Sequence, residues 1–435
     1  MQWQIPGGAA LHGSLHVPGD KSISHRALML NALADGQAQI DGLLEGDDCL
    51  ATAEALRSMG VPITRHGPGQ YHVQGVGRHG LTAPDDPLSL GNSGTSMRLF
   101  CGLLAPQRFA TTLLGDRSLS RRPMARVIRP LNAMGARIEG KANRPPLTIT
   151  PTDRLVPVRY GLPVASAQVK SAILLAALYA DGETQVSEPA PTRDHTERML
   201  SAMGVPIEVN AERHLISITG PAELKSLSVS VPGDPSSAMF FVVAATLAAA
   251  SSVTVRRVGI NPTRIGALDI LRQMGARIAL DNRRDVGGEP VADIVVEKAA
   301  LTGIDVPPEL VPLAIDEFPV LFVAAANARG TTRFSGIGEL RHKESDRIAV
   351  MIRGLRAMGV TCEESEDGAV VTGGAYNGAA IDAEDDHRIA MAFAVAGLTA
   401  HSPLMLAGTE TVATSFPGFV DACTSLGWTI EEVQH

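Results

Sequence analysis

Apolar residues recur at helical spacing and then give way to a short extended stretch, and the chain repeats this six times. Leu50, Ala53, Leu56 and Met59 fall on one helical face, which marks that face as buried. Gly60 follows, and residues 61–64 read as a strand. Glycine at that point supplies the left-handed cap that ends a helix. The signature Leu-x-x-Met-Gly, then a small or β-branched residue, recurs at residues 131–138, 200–207, 271–278 and 355–360, with a degenerate copy at Leu426-Gly427. The glycines are 60, 135, 204, 275, 359 and 427, in steps of 68 to 84 residues. Upstream of most copies lies a second helix rich in Ala and Leu, followed by a β-rich stretch: residues 27–33 before Ile40, and 173–180 before Val186. Each copy therefore predicts an α/β module with two helices and several strands.

A longer repeat is superposed. Val17-Pro-Gly-Asp returns as Val231-Pro-Gly-Asp, with three modules between the two. The chain reads as two halves of three modules each, and the Pro-Gly pairs read as hinges. The longest apolar run, residues 238–250, suits a buried helix and is too short for a membrane span.

Composition narrows the classes. The 435 residues are 45% hydrophobic and 19% charged, a folded multi-domain chain rather than a disordered one. The net charge is -8 and aromatics are 4%, which disfavours nucleic-acid and anionic-membrane partners. Cys49, Cys101, Cys362 and Cys423 are far apart, so neither a zinc knuckle nor a disulfide framework is expected, and a reducing cytoplasmic setting fits. Residues 1–20 show no basic segment followed by an apolar one, so no secretory signal is expected.

The polar residues gather where helices start. Helix N-termini carry unpaired N–H groups and partial positive charge. Equivalent helices in two facing halves would make a cleft suited to anions. The first such start is Asp20-Lys21-Ser22-Ile23-Ser24-His25-Arg26, with Ser22 and Arg26 on one face. The next, Gly91-Asn92-Ser93-Gly94-Thr95-Ser96-Met97-Arg98, is a Gly-rich turn that opens a helix and could cradle an anion. Arg121-Arg122-Pro123-Met124 places Pro123 at a first helical position. Ser166-Ala167-Gln168 and Thr192-Arg193-Asp194-His195 open two more helices. The densest cluster is Arg341-His342-Lys343-Glu344-Ser345-Asp346-Arg347. A helix beginning near Lys343 would put Lys343, Glu344 and Arg347 on one face. Asp385-Asp386-His387-Arg388 precedes another apolar helix, and Asp316 is either a buried base or a cap for the helix after it. Basic starts in an acidic protein point to small, multiply anionic ligands. No cluster has metal-ligand spacing and no cofactor fingerprint is present, so neither metal nor cofactor is expected.

These segments, in this order, resemble the 5-enolpyruvylshikimate-3-phosphate synthase (3-phosphoshikimate 1-carboxyvinyltransferase) family over nearly the whole chain. The stretches from Arg193 and Ala413 are similar to its class II bacterial branch. The resemblance implies an α/β fold of two similar domains, each of three βαβαββ units, joined by a two-strand hinge. It places one domain at 20–232 and the other at 1–19 plus 233–435, with the active site in the interdomain cleft. It implies an enzyme of aromatic amino acid biosynthesis that moves the enolpyruvyl group of phosphoenolpyruvate to the 5-hydroxyl of shikimate 3-phosphate and releases phosphate. A monomer is expected, with only these small molecules as partners.

Residue roles also follow from the resemblance. Lys21, Gly94, Arg122, Gln168, Arg347 and Arg388 would hold phosphoenolpyruvate, with the Thr95 backbone nearby. Lys21, Ser22, Arg26, Ser166, Gln168, Arg193, Asp316 and Lys343 would hold shikimate 3-phosphate. Asp316 would be the base on the 5-hydroxyl, and Glu344, with Lys21 as rival, the acid–base group at the methylene carbon. Two details matter. Many family members have Lys where this chain has Thr414, before Ser415-Phe416-Pro417. Some members insensitive to glyphosate, the family's inhibitor at the phosphoenolpyruvate site, have Ala where this chain has Gly94, so inhibition is expected here. The sister transferase acting on UDP-N-acetylglucosamine typically carries a reactive loop Cys, and none of the four cysteines sits in such a motif.

Overall fold

The computed structural model describes residues 2–433 and divides the chain into two compact units, Gly19–Val231 and Met1–Pro18 with Pro232–His435. Each unit holds three small sheets with helices packed on them.

The middle sheet of the first unit shows the module in full. Leu88–Ser89 pairs parallel with Thr111–Leu114, which pairs antiparallel with Leu147–Thr150, and Arg137–Glu139 closes the far edge. The helices Gly94–Leu104 and Ala125–Ala133 lie between these strands in sequence, giving two helices per module as the repeat predicts and the βαβαββ order that the resemblance implies. The sheet of Arg159–Gly161, Gly182–Ser187, Leu215–Gly220 and Ile207–Asn210 repeats it. The first module lacks its own leading strand. Val229–Ser230 supplies it, pairing parallel with Asp35–Asp41 through Val229 and Ile40.

The other unit is completed by the chain's start. Leu11–His16 pairs parallel with Ser251–Gly259. Gln2–Ile5 inserts antiparallel between Leu404–Ala407 and Glu431–Val433. The middle sheet has three strands, Thr331–Ser335, Gly368–Thr372 and Thr361–Ser365. Its leading edge shrinks to the isolated bridges Thr302 to Arg329 and Asp305 to Arg333. Pro307 and Pro308 follow at once and have no N–H to extend a ladder.

All six repeat glycines adopt the left-handed conformation, with φ between +85° at Gly204 and +102° at Gly275. A side chain there would strain the backbone, which is why the signature keeps glycine. The first helix of each module is buried on nearly every side. In Phe318–Ala326 every residue is buried, and in Pro235–Leu247 only Leu247 is not. The apolar run therefore forms a core helix, as the sequence predicts. Among the described residues no helix is long and apolar enough to cross a membrane. The second helices are amphipathic: Arg347–Ala357 buries Ile348, Met351, Ile352 and Leu355. The helices Gly94–Leu104 and Ala167–Ala177 approach so closely that a Cβ on Gly102 would lie 2.1 Å from the carbonyl oxygen of Ala172. All four cysteines are buried, as expected of small hydrophobes, and burial pushes the Cys101 thiol up to about 12.

Candidate functional site

In four of the buried first helices, polar residues near the N-terminus remain partly exposed: Lys21, Thr95 with Arg98, Gln168, and Arg388. Burial of the helix body leaves its N-terminus as the accessible end, so the basic residues gather there for a geometric reason.

In the unit Gly19–Val231, Asp20 caps the helix Lys21–Ala32, accepting from the Ile23 N–H at 2.9 Å. Lys21 extends to Asp48 as an ion pair. Arg193 Nη1 donates to Ser22 Oγ at 3.2 Å. Arg26 is only 3% exposed and is held by Ser22 O, Ser171 Oγ and Thr196 Oγ1. Ser93 caps the helix Gly94–Leu104, accepting from the Ser96 N–H at 3.1 Å. Arg98 Nη1 donates to Gly94 O at 3.1 Å and to Gln168 Oε1 at 2.7 Å, while Gln168 Nε2 donates to Thr95 Oγ1 at 2.9 Å. Arg122 donates to Asn92 Oδ1. A Cβ on Gly94 would sit 2.9 Å from Arg98 Nη1 and 3.1 Å from Arg122 Nη1. Gly94 thus lies under two guanidinium groups. Ser166 caps the helix that carries Gln168, accepting from the Val169 N–H at 3.4 Å.

A buried network braces this cluster. His25 Nδ1 lies 2.8 Å from Thr52 Oγ1, which lies 2.7 Å from Ser96 Oγ, which lies 2.6 Å from Ser93 Oγ. The start of one helix is thereby tied to the turn at Gly94. Burial, then Lys21 and Arg26, hold the His25 imidazole well below its usual 6.5, so it is neutral near pH 7.

The other unit carries the second cluster. Arg347 is 1% exposed and faces three carboxylates: Asp386 at 2.8 Å from Nε, Glu344 at 2.7 Å from Nη2, and Asp316 at 3.5 Å from Nη1. Burial works against the charged guanidinium, but Asp386 and Glu344 outweigh it and raise the pKa. Lys343 Nζ donates to Asp316 Oδ1 at 3.3 Å. Arg388 Nη1 donates to the Asp316 carbonyl at 3.1 Å. Asp386 caps the helix His387–Thr399, accepting from the Arg388 N–H at 3.0 Å. One carboxylate therefore faces two cations, and a second carboxylate, Glu344, shares the arginine between them. Such a set can bind anions and exchange protons beside them.

Four expectations about local structure are corrected. Leu50, expected on the buried face of its helix, is 38% exposed. The helix after Lys343 begins at Arg347, because Asp346 Oδ1 accepts from the Ala349 N–H at 3.0 Å and caps it there. Lys343 and Glu344 precede the helix and meet Arg347 through side-chain contacts instead of a shared helical face. Pro123 does not take the first helical position, since the helix Ala125–Ala133 starts after Met124. Of the two readings of Asp316, the cap is excluded, because Glu317 occupies the cap position of Phe318–Ala326. Arg98 and Asp48 were not singled out from the sequence, although they contact Gln168 and Lys21. Arg98 lies one turn after Gly94, and that spacing was the available signal.

The sequence matches the profile of EPSP synthase (3-phosphoshikimate 1-carboxyvinyltransferase) over residues 5–423. The chain belongs to the EPSP synthase family. It is 56% identical over 429 residues to the 3-phosphoshikimate 1-carboxyvinyltransferase of Alkalilimnicola ehrlichii, covering 98% of this chain and 96% of that one. It is 55% identical over 424 residues to that of Acidithiobacillus ferrooxidans, covering 98% and 97%. The solved EPSP synthase of Acinetobacter baumannii superposes with a TM-score of 0.89 at 49% identity over 100% of both chains. The Thr414 hydroxyl, at the position noted above, donates to the Thr411 carbonyl at 2.6 Å.

Proposed function

We propose that this protein transfers the enolpyruvyl group of phosphoenolpyruvate to the 5-hydroxyl of shikimate 3-phosphate, releasing phosphate, in aromatic amino acid biosynthesis. Full-length identity above one half to named 3-phosphoshikimate 1-carboxyvinyltransferases is the observation that carries this reading. In the proposed scheme Asp316 takes the proton of the 5-hydroxyl as its oxygen bonds to C2 of phosphoenolpyruvate. Glu344 protonates C3, giving a tetrahedral intermediate. Glu344 then removes a proton from the new methyl group as the C2–O bond to phosphate breaks, and the proton held by Asp316 passes to the departing phosphate. Lys21 is the rival for the C3 proton transfers.

The neighbours of these groups support the roles. Lys343 and Arg347 at Asp316 Oδ1 aim the proposed base. Arg347 at Glu344 fixes the position of the second carboxyl. Arg122, Arg347, Arg388, Lys21 and Gln168, with Gly94 beneath two guanidiniums, are proposed for phosphoenolpyruvate. Ser22, Arg26, Ser166, Gln168, Arg193, Lys343, Lys21 and Asp316 are proposed for shikimate 3-phosphate. Fixed cations stabilise developing charge best when they need no reorganisation, and the bonds of Arg26, Arg98 and Arg347 fix theirs. We further propose a monomer in the cytoplasm, without nucleic-acid or membrane partners, for which the net charge of -8 is the support.

The deciding experiment is phosphate release from phosphoenolpyruvate by the purified protein, with shikimate 3-phosphate and separately UDP-N-acetylglucosamine as acceptor. Turnover with the first alone is expected. Turnover only with the second, or with neither, overturns the reading.

A further inference from the structure

Beneath the candidate residues of the unit Gly19–Val231 runs a buried polar seam that the proposed roles leave unused. Two consecutive residues of the helix Ala167–Ala177, Lys170 and Ser171, meet two consecutive residues of the helix His195–Ala202, Thr196 and Glu197. Lys170 Nζ lies 2.6 Å from Glu197 Oε1 and 2.9 Å from Glu188 Oε2, and all three side chains are at most 5% exposed. Ser171 Oγ lies 2.7 Å from Thr196 Oγ1. The ion pairs form one rung between the helices and the hydroxyls form the next.

The hydroxyl rung grips Arg26. Arg26 Nε donates to Thr196 Oγ1 at 2.6 Å, and Nη2 donates to Ser171 Oγ at 2.7 Å. Each hydroxyl has a single proton, and that inventory sets the direction of the chain. Ser171 Oγ donates to the Ala167 carbonyl at 2.7 Å, so it accepts from its other neighbours. Thr196 then donates to Ser171 and accepts from Arg26. Two acceptors along one guanidinium edge fix the plane of the group. Its Nη1 donates to the carbonyl of Ser22 at 2.9 Å, and the hydroxyl of Ser22 receives Arg193 at 3.2 Å. Helix packing alone would be served by apolar residues without the desolvation of a buried polar set.

We propose that Thr196 and Ser171 are positioning residues that set the orientation of Arg26, and through it Ser22, toward shikimate 3-phosphate. This rests on the enolpyruvyl-transfer reading and on the proposed roles of Arg26 and Ser22. Thr196→Val keeps the shape and removes both hydrogen-bonding functions. Lost alignment of one charge-assisted contact corresponds to roughly a tenfold effect, and it falls on one substrate.

The experiment is steady-state kinetics of Thr196→Val, Ser171→Ala and Thr196→Ser, with thermal unfolding of each. Thr196→Val is expected to raise KM for shikimate 3-phosphate roughly tenfold, with KM for phosphoenolpyruvate and kcat nearly unchanged. Ser171→Ala should do the same more weakly, and Thr196→Ser should restore the wild-type value. An unchanged KM for shikimate 3-phosphate in Thr196→Val overturns the proposal, as does a parallel loss on both substrates that follows the drop in thermal stability. Should Thr196→Val fail to fold, Ser171→Ala decides by the same criterion. A wild-type protein without turnover sinks the function reading separately. Calorimetric binding of shikimate 3-phosphate then decides the seam: weaker binding to the variant supports it, and equal or absent binding overturns it.

Discussion

Arg347 Nε lies 2.8 Å from Asp386 Oδ2, and the two side chains are 1% and 0% exposed. Burial raises the Asp386 carboxyl, but Arg347 beside it outweighs burial and holds it below the usual 3.8. Removing one partner of such a pair costs about 3–5 kcal/mol, because the other charge stays buried. Asp386→Ala should therefore lower stability by at most roughly that amount, read from the urea midpoint at pH 7, because Glu344 and Asp316 still face Arg347. The folded pKa is depressed, so the pair's stabilisation is complete above pH 3.8 and is lost as pH falls through the lowered folded value. Asp386→Asn should remove that acid-side loss, and an unaltered acid profile would refute the assignment.

Asp316→Asn and Glu344→Gln keep size and remove proton exchange. Each should lower kcat by about 10²–10⁴, while calorimetry still detects both substrates. Near-normal turnover in either variant would remove that residue from the scheme.

Gly94→Ala introduces a Cβ 2.9 Å from Arg98 Nη1 and 3.1 Å from Arg122 Nη1. Both neighbours are ends of flexible side chains, so the fold should tolerate the change while the cations move by tenths of an ångström. The expected result is a higher KM for phosphoenolpyruvate and a larger rise in the glyphosate concentration needed for half inhibition. The wild-type protein should be inhibited. Equal sensitivity of the two proteins would mean that other residues decide it.

His25 is buried and its pKa is lowered by burial, Lys21 and Arg26. Below the usual value of 6.5 the unfolded chain takes up a proton that the folded state resists. Stability should therefore fall by up to about 1.4 kcal/mol per pH unit below 6.5 until the folded pKa is reached. His25→Asn lacks a titrating ring and should show a smaller drop between pH 7.5 and 5.5 in urea unfolding. Equal drops would place the acid sensitivity elsewhere.

Gly102→Ala would drive a methyl into the backbone of Ala172, whose carbonyl oxygen and carbon lie 2.1 and 2.7 Å from the added Cβ. Backbone cannot rotate aside, so the helices must separate, at about 1–3 kcal/mol or more. A thermal midpoint within 1 °C of wild type, taken as roughly no change in stability, would contradict this contact.

The repeat determined much of this molecule by itself. Leu-x-x-Met-Gly needs only local physics: an apolar stripe that must be buried and a glycine that accepts positive φ. Both operate within a few residues, so six modules and their helix ends were legible. The gathering of basic residues at helix starts was legible for the same reason, because Lys21 and Arg388 stand in first turns that buried helices leave partly exposed. Long-range closure was settled by tertiary structure alone. Val229–Ser230 completes the sheet begun at Asp35, and Gln2–Ile5 inserts beside a strand that starts at Leu404. Strand partners so distant leave no periodic trace in either segment. The same holds for the contacts that set the chemistry. Asp316 meets Lys343 and Arg347, and Arg26 meets Ser171 and Thr196, only because packed helices bring remote turns together. Sequence spacing pointed to a shared helical face for Lys343 and Glu344. Asp346 decided otherwise, because a cap that satisfies the Ala349 N–H stops the helix at Arg347 and leaves the two residues before it to be placed by their ionic partners.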